Sequence, residues 1–130
     1  MALLLKTAPP IFSEDRQFWA QEPRWEKAEV AWGDVVYVWT SEMNGGIGLA
    51  LKGRLTAVEG ELDARRLNIR VAVTDAAPVR RLTIHHLKLH RDSGTAEPIS
   101  SLARKLCRHS LNKIADLTPA ERTFLEAFFT

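Results

Sequence analysis

Three strand-length runs follow one another between positions 35 and 75, and they commit the middle of the chain to a sheet. "VVYVWTS" begins just after Gly33-Asp34 with five apolar residues in a row, the mark of a buried strand. The turn "SEMNGGIG" follows, and its Asn44-Gly45-Gly46 accepts the positive φ that a tight hairpin demands. The chain returns through "GIGLALKGRLTAVEG". There Ile47, Leu49, Leu51 and Leu55 share one parity, and Gly48, Ala50, Lys52 and Arg54 the other. Gly48 and Ala50 are so small that backbone or ligand must pack close to them. "RLNIRVAVTD" alternates Leu67, Ile69, Val71 and Val73 with Asn68, Arg70, Ala72 and Thr74, which is a half-buried strand.

The flanking segments read less uniformly. "ALLLKT" is a short buried strand ended by Pro9-Pro10. After it, Ser13 is placed to cap a short helix with Glu14 and Asp15 in its first turn, and Pro23 stops or kinks that helix. This irregular stretch carries Trp19, Trp25 and Trp32. "VRRLTIHHLKLHRD" alternates but slips phase between His85 and His86, which calls for a bulge or a short helix. From 99 to 117, apolar steps of three and four predict a helix. Thr118, Pro119 and Glu121 then start another through a capping box, with Phe124, Leu125, Phe128 and Phe129 as its packing face. The 130 residues suit one domain, 1–130, of α+β class: a small barrel or curled sheet of mostly antiparallel strands with helices against it.

Composition narrows the functional classes. No apolar stretch reaches the roughly 18–20 residues of a membrane span, so no membrane partner is expected. "MALLLKTAPP" lacks the basic and apolar regions of a signal peptide, and a cytoplasmic location is the default. Cys107 is the one cysteine, which leaves no internal disulfide and no Cys-Cys metal spacing; it reads as a buried thiol. His85, His86 and His90 are close in sequence but too few for a zinc site by themselves, and read as a solvated basic face. There is no nucleophile elbow, phosphate loop or carboxylate pair in an apolar setting. No cofactor and no metal are implied, and a non-enzymatic role is expected.

Charge and aromatic rings carry what functional signal there is. The net charge is only +2, but residues 79–113 hold eight Lys/Arg against Asp92 and Glu97. Arg80, Arg81, Lys88 and Arg91 in that segment are candidate phosphate contacts, or simply a solvated face. Trp39 shares parity with Tyr37 and Ser41, so a flat ring stands two residues from a hydroxyl. Two readings stand: a pocket wall for a base-sized ligand, over which Trp19 and Trp25 close, or tryptophans that are all core.

The order of these pieces resembles the EVE domain family of the PUA-like group. The matching stretches are Leu4-Leu5-Lys6-Thr7 with Pro9, Phe12-Ser13, Gly33-Asp34, Trp39-Thr40-Ser41 and Ile47-Gly48-Leu49-Ala50, spanning roughly residues 3–58. The resemblance implies a five- or six-stranded pseudo-barrel with flanking helices. It also implies a module that takes a flipped, modified base of DNA or RNA into an aromatic-lined pocket. Lys6, Thr7, Trp39 and Ser41 fall at family positions around that pocket; Trp19 and Trp25 join them on ring content alone. Two other functions are compatible. One is an ASCH-like hydrolase of modified nucleosides, with Lys6 paired to a carboxylate such as Glu59. The other is a partner-binding domain of a defence system that docks through 124–129 without a base ligand. The sequence does not set the oligomeric state.

Overall fold

The computed structural model describes residues 2–25, 28–42, 45–60, 66–88, 98–107 and 112–130. Six strands form one sheet: β1 (Ala2–Thr7), β2 (Gln17–Pro23), β3 (Val35–Thr40), β4 (Gly48–Glu59), β5 (Arg66–Asp75) and β6 (Lys113–Asp116). Three helices accompany them: α1 (Ile84–Lys88), α2 (Ile99–Cys107) and α3 (Pro119–Glu126), the last running into a 3-10 turn, Ala127–Phe129. The strand order is β2-β5-β4-β3-β1-β6. β1 and β3 are parallel, and the other pairings are antiparallel, so the sheet is mixed. It curls until its two edges nearly meet, where a single bridge joins Arg24 to Ile114. The class is α+β and the sheet a half-barrel. None of the described helices is long and apolar enough to cross a membrane.

Two apolar clusters lie on the two faces of the curl. The inner one draws on all six strands: Leu3 and Leu5, Phe18 and Ala20, Val36 and Val38, Leu51 and Leu55, Ile69 and Val71, and Ile114. The outer one joins Leu4, Tyr37, Trp39 and Leu49 to Leu87, Leu102, Leu106 and Leu125 of the helices. β1 and β3 therefore bury every residue, which is why each opens with an unbroken apolar run, Ala2–Leu5 and Val35–Trp39. Leu49 and Leu51 share parity yet belong to different clusters. A bulge explains it: the β3–β4 register shifts between Val38 and Trp39, and one extra residue on β4 turns the following side chains to the opposite face. Gly48 has φ +86°, and a Cβ there would collide with the Leu82 carbonyl oxygen. The close neighbour of this small residue is backbone.

Two expectations need correction, one open choice is decided, and one suggested pairing is absent. Residues 17–23 are a strand, not a capped helix; the side chains of Phe18, Ala20 and Glu22 point inward, and the Ser13 side chain closes a turn ahead of it. Of the two readings open for this segment, the short helix is the one that forms, at residues 84–88, and His90 lies outside the described residues. The helix that begins at Ile99 ends at Cys107, and Lys113–Asp116 is an edge strand paired with β1. The Cys107 side chain also lies outside what is described. The pairing of Lys6 with Glu59, named for the hydrolase alternative, does not form. Lys6 lies opposite Trp39, which pairs with Leu49, and Glu59 sits at the far end of β4, roughly 33 Å along the strand.

The helix layer is held by buried charge. Thr118 Oγ1 accepts from Glu121 N and the Glu121 carboxylate accepts from Thr118 N, the capping box read in the sequence. The same buried carboxylate accepts from Lys105 Nζ at 2.5 Å and Ser101 Oγ at 2.7 Å, which ties α2 to α3. Lys6 Nζ donates to the Leu106 carbonyl at 3.0 Å and Lys113 Nζ to that of Lys105. Two ammonium groups thus satisfy last-turn carbonyls at the negative end of α2. Phe124, Phe128 and Phe129 pack against the outer cluster. Tyr37 donates to Glu126 Oε2 at 3.1 Å; burial first, then the Glu126 charge, pushes the phenol up to about 12.

Candidate functional site

β6 has four residues and β2 has seven, so the closing edge cannot follow β2 to its start. Where β6 gives out, the connection from Thr7 to Ile11 faces the N-terminal half of β2 across a gap. That gap is a cleft of ≈ 620 Å³, walled by Thr7 to Ile11 on one side, by Gln17 to Gln21 on the other, and by Ser13, Asp15 and Arg70.

Strand alternation sets what β2 offers it. Phe18 and Ala20 fill the barrel; Gln17, Trp19 and Gln21 face outward. Trp19 is 45 % exposed, and the Arg70 guanidinium of β5 lies 5.6 Å from its ring centroid. Main-chain geometry adds to this. Val73 N donates to Arg16 O, so the ladder alternation turns the peptide groups of Gln17, Trp19 and Gln21 away from β5. Gln17 O accepts from Ser13 N at 2.8 Å and Gln21 O from an Arg66 guanidinium nitrogen at 3.3 Å. The Trp19 N–H and C=O have no hydrogen-bond partner among the described residues.

A polar network stiffens this wall. The Ser13 hydroxyl donates to Asp15 Oδ1, and Gln17 Nε2 donates to Asp15 Oδ2 at 2.7 Å. Gln17 Oε1 accepts from the Thr56 hydroxyl at 2.9 Å, and Arg70 Nε donates to Thr56 at 3.0 Å. The Ser13 hydrogen bond above all, with help from Gln17 and the Arg70 charge, holds the Asp15 carboxyl below the usual carboxylate range. Behind Thr7 lies Glu22, buried, its Oε2 accepting the Thr7 hydroxyl at 2.6 Å. Burial pushes that carboxyl up, against the pull of Thr7 and of Arg66.

The sequence candidates separate clearly. Thr7 and Trp19 line the cleft. Trp39 does not: it is fully buried in the outer cluster, with its indole N–H donated to Glu42 at 3.2 Å. Lys6 caps α2 on the helix face. Trp25 packs on the outer cluster, with Lys113 Nζ 4.4 Å from its ring centroid. Ser41 is buried, its N–H donated to Thr7 O at 2.9 Å. Arg80, Arg81 and Lys88 are exposed but line no part of the cleft. Arg80 is engaged at the C-terminus, where it lies 4.7 Å from the Phe128 ring centroid and donates to Ala127 O. Arg91 lies outside the described residues.

Asp15, Gln17, Gln21 and Arg70 were not among the candidates. Reading 17–23 as a strand would have exposed the last three, since Gln17, Trp19 and Gln21 then share one face with Arg70 on its partner strand. No protein-family model, no curated protein and no solved structure matches this chain.

Proposed function

We propose that this protein is a non-enzymatic nucleic-acid-binding module that accepts a base, modified or plain, in the cleft beside β2. The observation that supports this most is Trp19, a large ring left half in water on the wall of a cleft with polar side chains around it. A ring so placed gives up apolar burial that folding would otherwise take, and a stacked base restores it; each stacked base contributes about 1–3 kcal/mol. The cleft suits a single heterocycle in size, being within the usual range for small-molecule sites. Gln17, Gln21, Asp15 and the Trp19 peptide group supply donors and acceptors for a base edge. Exposed Arg80, Arg81 and Lys88 are the proposed phosphate contacts, positioning the strand without reading it.

This reading widens the expected ligand from a modified base to a base of either kind and moves its site from Trp39 to Trp19. The test is a titration of wild type and Trp19→Ala with single-stranded oligonucleotides, plain and carrying modified cytosine or adenine. Wild type should bind and the folded variant should lose at least about fivefold in affinity. Equal binding by both would remove the cleft from the interface.

A further inference from the structure

The charge in the cleft narrows what it takes. Among the described residues the charged groups of its lining are Asp15 and Arg70, one of each sign, so together these two exert no net pull on phosphate. It suits the neutral part of a nucleotide. Asp15 is also unusually well fixed for an exposed carboxylate. One oxygen accepts from Ser13, the other from Gln17 Nε2, and Gln17 is itself anchored to Thr56. An ionised carboxylate has about four lone-pair sites, so each oxygen retains capacity for a ligand donor.

We infer that Asp15 selects, among bases entering the cleft, those that carry an exocyclic amine: the cytosine, adenine and guanine class rather than uracil or thymine. This rests on the reading of the cleft as a base site. An amine projects N–H groups that a fixed carboxylate accepts directly. The donor of a uracil ring is an imide N–H flanked by two carbonyl oxygens, and both would be driven against the carboxylate. Beside the amine, the ring nitrogen of cytosine or adenine is an acceptor, for which Arg70 and the Trp19 N–H are donors on the same wall. Modification at a neighbouring ring carbon leaves this recognition intact, so the selection applies to plain and modified bases alike.

The experiment uses free nucleosides, which carry no phosphate, and follows the tryptophan indole N–H signals of the full chain by NMR. Wild type should bind cytidine, adenosine and guanosine at least about fivefold more tightly than uridine. Asp15→Asn, which offers a donor as well as an acceptor, should bring the four toward equal affinity, with circular dichroism verifying the fold. Equal binding by wild type, or a preference that survives in Asp15→Asn, overturns the assignment of Asp15 while the base site stands. No binding of any nucleoside by wild type overturns both.

Discussion

β2 and β3 are strands of similar length, each with a tryptophan near the middle or end, and they treat that ring in opposite ways. β3 lies inside the sheet between β1 and β4, with the barrel interior on one side and the helices on the other. Trp39 has nowhere to meet solvent. β2 is at an edge, and no described helix contributes to the cleft on its outer side, so Trp19 remains on the wall of a cleft. An aromatic ring within a strand becomes available to a ligand through the layer that is missing above it, not through its own sequence context.

The sharpest way to break this contrast is Trp39→Ala. Removing a fully buried indole should cost about 3–5 kcal/mol, read as a lower midpoint in urea, and nucleic-acid binding should fall only as far as the folded fraction does. Trp19→Ala is the mirror case: stability should change by less than about 1 kcal/mol, while affinity falls at least about fivefold. Should the two variants exchange phenotypes, the roles assigned to β2 and β3 would be reversed.

Glu22 sharpens the comparison at the back of the cleft. Its folded pKa is raised above the ordinary 4.5, chiefly by burial, so the folded state holds the proton more tightly than the unfolded chain. Its stabilising contribution is present below pH 4.5 and is lost as pH rises through the raised value. Glu22→Gln should therefore flatten the fall in stability over that window, while still accepting the Thr7 hydroxyl. Urea midpoints measured from pH 4 upward would check it; an unaltered pH profile would show that Glu22 is not the group responsible. The smallest effect concerns the exposed arginines. Arg80→Ala with Arg81→Ala should reduce the slope of log affinity against log salt by about 1–2 and leave base preference alone. An unchanged slope would place phosphate elsewhere.

The parts of the fold legible in the sequence are those where local pattern and tertiary demand coincide. Alternation from Leu67 to Val73 marks β5, and Thr118, Pro119 and Glu121 mark the start of α3, because strand pairing and capping use those residues directly. β2 was hidden because Glu22 occupies an inward position and breaks the apolar parity begun by Phe18 and Ala20. Its burial makes sense only beside Thr7, fifteen residues away. β6 was hidden in the same manner. Lys113 is nearly as buried as its apolar neighbours, but the carbonyl that receives its charge belongs to α2. The cleft followed β2 into obscurity: with 17–23 read as a helix, Trp19, Gln21 and Arg70 have no common face.

The most direct test of the account is the set of indole N–H resonances during titration with a short single-stranded oligonucleotide. The Trp19 signal should move in proportion to binding while that of Trp39 stays where it is. A shift confined to Trp39, or binding that leaves Trp19 unmoved, would contradict the assignment of the cleft beside β2 as the site.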